Sequence, residues 1–308
     1  MSFHKAQDRP RILIVGGGYV GFTVAKKIQK AIKQTGGVVT IVEPNLYMTY
    51  QPFLPEVAAG SMEGRNATVP LRQHLRDTEL IPGHVVSVNH AERTATVEPI
   101  DNGEPFDLKY DEIILGAGAV TRAFPTPGLA EVAIGMKTVE EAVSVRNWVL
   151  ERIEVASVLD DPDARRRALT VVVVGGGFAG VETISELEDM AREAVNRNDR
   201  LSVSDLRFVM IEAAPRIMPE VPEDRAEKVV AELRARGIEV LLNTSLSDAT
   251  DGHLQLINMT DKSPAGEMDT DTLIWTAGVA ASPMLKNTDF PIDERGRVRV
   301  NADLRVAG

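Results

Sequence analysis

Residues 11–21 read RILIVGGGYVG, and residues 170–180 read TVVVVGGGFAG. Each is a short apolar run that stops at a glycine turn of the form G-x-G-x-x-G. Farther along, residues 111–118 read DEIILGAG and residues 271–278 read DTLIWTAG, so both signals recur at nearly the same separation. One such turn is weak evidence. Two, each followed by the same later strand in the same register, indicate a duplicated dinucleotide-binding unit. A chain that holds two dinucleotides is most simply an enzyme that passes a hydride between them.

Working outward from the first turn, residues 12–15 form a buried parallel strand and residues 20–32 carry a helical pattern. Gly36 and Gly37 end that helix, and residues 38–42 form the next strand, closing on Glu43. The acid lies 22 residues past Gly21, close to the fingerprint spacing. Gly16 permits the tight turn, Gly18 lets backbone approach a pyrophosphate, and Gly21 lets helix pack on strand. Amides at the helix start then face the phosphates, and Glu43 faces the adenosine ribose. Residues 85–97 alternate as strands about a polar turn at 90–93, and residues 111–115 return to a buried strand.

The second unit repeats the scheme. Residues 171–174 are the strand, Gly175, Gly177 and Gly180 the turn, and residues 181–195 the helix. The strand at 206–211 ends on Glu212, here 32 residues past Gly180, so the helix or its return is extended. A helix at 223–236 and strands at 238–242, 254–259 and 273–275 follow. Residues 120–128 and the segment after Ala277-Gly278 read as crossovers. The expected fold class is therefore α/β, with two Rossmann-like domains, one inserted in the other: residues 9–120 with 278–308, and residues 121–277.

A net charge of −11 over 308 residues argues against nucleic acid and against electrostatic docking on anionic lipid. The polar start MSFHKAQDRP is not a signal peptide. The longest apolar run, residues 169–181, is broken by three glycines, so no spanning helix is expected and the chain reads as cytoplasmic. There is no cysteine, which excludes disulfides, thiolate metal sites and a redox dithiol on this chain. His4, His74, His84, His90 and His253 show no metal spacing, and no metal is expected. Residues 159–167 (LDDPDARRR) read as a charged loop, with Arg165, Arg166 and Arg167 on a solvated face at the wrong strand edge for phosphates. Residues 45–60 (NLYMTYQPFLPEVAAG) read as an irregular, proline-punctuated loop with exposed aromatics.

At this point the chain resembles the two-dinucleotide-binding-domain flavoproteins. Within them it is similar to the type II NADH dehydrogenases, the non-proton-pumping NADH:quinone oxidoreductases. The stretches that carry the resemblance are residues 49–60 (TYQPFLPEVAAG), 124–149, 175–190 (GGGFAGVETISELEDM) and 276–283 (TAGVAASP). The resemblance implies FAD in the first unit and NADH in the second, with a quinone as acceptor. By position it assigns Gly16, Gly18, Gly21 and Glu43 to the FAD pyrophosphate and ribose, and Val85 to adenine through its backbone. Ala117 and Gly118 fall near FAD, and Tyr50 and Gln51 near the isoalloxazine ring. Gly175, Gly177, Gly180 and Glu212 match NADH contacts, and Gly278 lies at the second crossover. Glu182 matches an acid at the flavin–nicotinamide junction and is the catalytic candidate; its other reading is an acid that offsets the helix macrodipole.

The resemblance stops at residues 301–308 (NADLRVAG), where relatives continue into a Gly-Asp flavin motif, a quinone-site segment and membrane-docking helices. The expectation is a chain lacking that portion, with membrane association only through it. Full-length relatives are peripheral on the cytoplasmic face of the inner membrane, and a homodimer is possible. Two rivals stay open: a ferredoxin-reductase-like flavin oxidoreductase, which usually has a basic residue before proline where this chain has Gln51, and a non-catalytic NAD-binding redox-sensing module.

Overall fold

The structure, a computed structural model, describes residues 9–122 and 125–307. The chain opens with β1 (Arg11–Val15), α1 (Tyr19–Gln34), β2 (Val38–Val42), β3 (Tyr47–Thr49), α2 (Leu54–Ala58), β4 (Thr68–Pro70), α3 (Leu71–His74) and β5 (Thr78–Ile81). Next come β6 (Gly83–Asn89), β7 (Thr94–Pro99), β8 (Phe106–Lys109), β9 (Glu112–Leu115) and β10 (Ala119–Thr121). The middle supplies α4 (Leu129–Val132), β11 (Ala133–Gly135), α5 (Val139–Ala156), α6 (Pro162–Ala168), β12 (Thr170–Val174), α7 (Phe178–Asn196), β13 (Arg207–Ile211), α8 (Glu223–Ala235) and β14 (Glu239–Leu241). The last strands are β15 (Thr244–Asp248), β16 (His253–Asn258), β17 (Pro264–Asp269), β18 (Thr272–Trp275) and β19 (Val279–Ala281).

Two compact units result. The first comprises Met1–Thr49, Thr68–Val120 and Val279–Gly308, and the second Tyr50–Ala67 and Thr121–Gly278. In the first, a parallel sheet runs in the order β5-β2-β1-β9, joined by an antiparallel sheet β6-β7-β8. β1 is apolar throughout because both its faces are covered. Leu13 and Val15 pack with Val85, Val97 and Leu108, while Ile14 packs with Ala25, Val39 and Leu71. At the foot of the sheet the buried Arg11 guanidinium meets Thr40 and Glu79, and the Arg11 amide donates to Asp111 Oδ2 at 2.6 Å. That pairing explains why β5, absent from the sequence reading, begins with polar Thr78 and Glu79.

In the second unit the parallel sheet runs β11-β18-β12-β13-β14, with an antiparallel sheet β15-β16-β17. β12 is again covered twice. Val171 and Val173 pack with residues of α5 and α7, and Val172 and Val174 with Leu246, Leu254 and Trp275. A capping box, Thr138 with Glu141, starts α5 by satisfying two amides that the helix leaves free. The architecture is the expected α/β pair of Rossmann-type parallel sheets, the second inserted in the first.

Three details depart from the sequence reading. Residues 50–67 group with the second unit instead of the first. Leu54, Val57, Ala58 and Ala67 are buried in the core that α5 and α7 build, and the segment leaves and returns through the antiparallel pair β3-β4. This stretch is also not irregular throughout, since it contains a 3-10 turn at Gln51–Phe53 and then α2. Finally, the arginine run lies on α6, whose first turn the Asp161 side chain caps, and only Arg166 stays largely in water. Arg165 donates to the Leu159 carbonyl at 2.7 Å, and Arg167 Nε to Asp271 Oδ1 at 2.6 Å. The expected crossover at 120–128 includes Ala123 and Phe124, which with His4 lie outside the described residues; the units divide at 120–121 and 278–279.

Candidate dinucleotide sites

In the first unit, β1 ends at Gly16, whose φ of +93° is closed to most side chains. A Cβ there would also strike the Gly116 carbonyl at the end of β9. Gly21 is as constrained, because a Cβ would run into the carbonyl oxygen of Gly16. Glu43, just past β2, reaches back to the turn: Gly17 N donates to its Oε2 at 2.7 Å and Asn45 N to its Oε1 at 3.1 Å.

The second unit reproduces this arrangement. Gly175 has φ +112°, and a Cβ would lie 2.6 Å from Thr276 Oγ1. A Cβ on Gly180 would collide with the Gly175 carbonyl oxygen. Gly176 N donates to Glu212 Oε2 at 2.6 Å and Ala214 N to Glu212 Oε1 at 2.7 Å. Each acid therefore has both oxygens fixed by backbone amides, with further lone pairs left for a ligand. The middle glycines, Gly17 and Gly176, escaped the sequence reading. Each leaves room for its acid, since a Cβ would sit 3.0 Å from Glu43 Cγ and 3.0 Å from Glu212 Oε2.

Gly18 and Gly177 behave differently. Their φ values are −70° and −75°, open to any residue, and a Cβ on either would meet nothing within 4 Å. Neither backbone strain nor packing inside its unit calls for glycine there. The space in front of each is clear, and each begins a helix with no side-chain cap and no acid in its first turn. Uncapped amides at a helix start, reached across bare glycine, fit a pyrophosphate. Both nucleotide sites pass this test on the residues present.

The remaining candidates fall as follows. Ala117 and Gly118 follow β9, and Ala277 and Gly278 follow β18; Gly118 and Gly278 share positive φ values of +66° and +80°. Val85 is buried in β6, paired with Val97. Tyr50 and Gln51 belong to the second unit, where the Tyr50 ring lies 4.8 Å from that of Phe53 and Gln51 Nε2 donates to the Lys137 carbonyl at 3.4 Å.

Glu182 sits past the first turn of α7, where the macrodipole has largely faded, so that effect does not account for it. Partial desolvation, followed by the nearby charges of Glu56 and Glu186, raises its carboxyl above the usual range. Glu56, on α2, has Oε2 buried without a hydrogen-bond partner. Its arrival beside α7 depends on the packing of residues 50–67, which no local sequence pattern announced. Among the described residues no His, Asp or Glu cluster is arranged to hold a metal ion, and no helix is long and apolar enough to cross a membrane.

Comparison with known proteins extends these observations. The chain is 28% identical to a probable NADH dehydrogenase of Dictyostelium discoideum over 98% of this chain and 66% of that one. It is 31% identical to a type II NADH:quinone oxidoreductase of Mycobacterium tuberculosis over 97% of this chain and 64% of that one. It thus spans about two thirds of the length of these curated relatives. In fold it is similar to NDH2 of Plasmodium falciparum, solved in complex with NADH, with a TM-score of 0.89 at 23% identity over 97% of this chain and 62% of that one. Residues 10–307 match the family described as pyridine nucleotide-disulphide oxidoreductase, and with both glycine turns built as above, the chain belongs to that family.

Proposed function

We propose that the first unit holds FAD, that the second holds NADH, and that the protein acts as an NADH:quinone oxidoreductase of type II. The observation that carries the reading is the pair of open cradles at Gly18 and Gly177, each backed by an acid locked onto the turn. The names of the relatives above, NADH dehydrogenase and NADH:quinone oxidoreductase, support the choice of substrates.

Each residue then has a defined task. Amides after Gly18 and Gly177 bind pyrophosphate, and Glu43 and Glu212 accept from ribose hydroxyls. Glu212 would repel a 2′-phosphate, which favours NADH over NADPH. Val85 contacts adenine through its backbone, Ala117 and Gly118 lie near the FAD, Gly278 marks the second crossover, and Tyr50 and Gln51 lie toward the isoalloxazine ring. FAD, when bound, supplies the hydride acceptor and hands two electrons onward. This chain has no thiol, so none of its own residues could relay those electrons as a dithiol. Glu182, its carboxyl raised above the usual range by partial desolvation and the charges of Glu56 and Glu186, is the acid at the flavin–nicotinamide junction. The reading sets this chain in the cytoplasm, with association to the cytoplasmic face of the inner membrane only through the C-terminal portion that full-length relatives carry, and it allows a homodimer.

The test is anaerobic mixing of the FAD-loaded protein with NADH. The flavin colour should bleach and return on addition of a soluble quinone. Bleaching reversed only by an iron–sulfur protein would favour a ferredoxin-reductase-like enzyme. No bleaching despite tight NADH binding would point to a non-catalytic module and contradict the proposal.

A further inference from the structure

Arg216 follows Glu212 by four residues, which is where a cation for a 2′-phosphate would be sought. Its guanidinium is engaged elsewhere. Nη2 donates to the Pro219 carbonyl at 2.6 Å, and Nη1 to the Val221 carbonyl at 2.9 Å. These bonds close a ring around Met218, which has a left-handed φ of +46°. Within the ring, Met218 N donates to the Gly176 carbonyl at 2.8 Å, and Val221 N to the Met218 carbonyl at 3.0 Å. Ile217, fully buried, sits so close to Gly176 that a Cβ there would lie 2.7 Å from Ile217 Cγ2. The loop that follows Glu212 is thereby fastened to the glycine turn whose amide also holds Glu212.

We infer that Arg216 is a positioning residue for the adenosine end of the nucleotide in the second unit: it latches residues 213–221 against Gly176 and so fixes Glu212, and it takes no part in binding a 2′-phosphate. Three observations support this. Both ends of the guanidinium are used on carbonyls of its own loop. A left-handed methionine is held only where its surroundings over-determine it. The first unit, which the reading assigns to FAD, has no counterpart: Leu71 of α3 packs on Gly17 in place of Ile217. The inference rests on the proposal that the second unit binds NADH, and it sets coenzyme preference by two residues: Glu212 excludes the 2′-phosphate, and Arg216, four residues on, is committed to the loop.

The test uses R216A and R216K, with the parent protein measured alongside. Dissociation constants are taken for NADH, NADPH, ADP-ribose and reduced nicotinamide mononucleotide. The parent must bind NADH and ADP-ribose; if it does not, the functional reading fails and not the latch. R216A should weaken NADH, NADPH and ADP-ribose by a common factor of about tenfold, equivalent to about 1.4 kcal/mol. The mononucleotide should be unaffected, which general misfolding would not allow. R216K keeps the charge and one carbonyl contact, so it should fall between R216A and the parent and guards against a variant that does not fold. A selective loss of NADPH in R216A would make Arg216 a phosphate ligand and overturn the inference. Unchanged affinity for every ligand would overturn it as well.

Discussion

The two glycine turns share geometry in all but their supports, and the contrast separates what the fold requires from what a ligand requires. Gly16, Gly21, Gly175 and Gly180 are needed by the protein itself, through positive φ or collision with backbone. Gly18 and Gly177 are not, so their bareness faces outward. The supports diverge. The first turn leans on Leu71 and on the bare Gly116, whereas the second leans on Ile217, the Arg216 loop and Thr276. Thr276 Oγ1 donates to the Val174 carbonyl at 2.9 Å, a side-chain bond that Gly116 cannot make. The second turn is therefore the more heavily buttressed. The two units share the open glycine turn and differ in the scaffolding behind it.

The contrast breaks most readily at the packing glycines. Gly21→Ala and Gly180→Ala push a Cβ into a backbone carbonyl, and each should destabilise its own unit by on the order of 3 kcal/mol. Denaturant unfolding followed unit by unit checks this; equal loss in both units from one substitution would mean that they do not unfold separately. Next in size come Gly18→Ala and Gly177→Ala, whose Cβ enters open space. Stability should change by less than about 1 kcal/mol. Affinity should fall about 10- to 100-fold through one or more charge-assisted bonds, for FAD in the first variant and for NADH in the second. Fluorescence titration of each variant against both nucleotides reads the split, and crossed losses would reverse the assignment of the units.

The anchoring acids give a smaller effect. An amide in place of Glu212 must turn its NH2 toward either the Gly176 or the Ala214 N–H, donor against donor. E212Q should weaken NADH about tenfold and leave FAD alone, with E43Q giving the converse. Calorimetric binding checks both. The smallest effect concerns Glu182. Its carboxyl is raised in the folded protein, so the folded state binds more protons, and this penalty grows as pH rises through the raised range. E182Q should match the parent in acid and be the more stable above that range, by at most about 1 kcal/mol after solvent screening. Thermal melts across pH measure it; a stability gain confined to acid would contradict the sign.

Much of this was legible because the strongest signals are local. A both-faces-buried strand gives an unbroken apolar run, as in residues 171–174, and a glycine turn gives its own spacing. β5 and β17 gave no such signal. Thr78 and Glu79 are polar because they serve Arg11, and β17 opens on Pro264 and Gly266 with its outer residues exposed. The placement of residues 50–67 was hidden for another reason: Leu54, Val57 and Ala58 are buried by α5 and α7, elements far along the chain. The same holds for Gly17 and Gly176. Their amides grip acids 26 and 36 residues away, a partnership that exists only once the sheets have formed.

The central claim is that the two turns are separate sites for two different dinucleotides, and co-titration tests it most directly. With NAD⁺ as a non-reducing stand-in for NADH, calorimetry should show FAD binding with the same affinity whether or not NAD⁺ is saturating, each ligand reaching its own plateau. Displacement of one by the other would mean a shared site and would contradict the account.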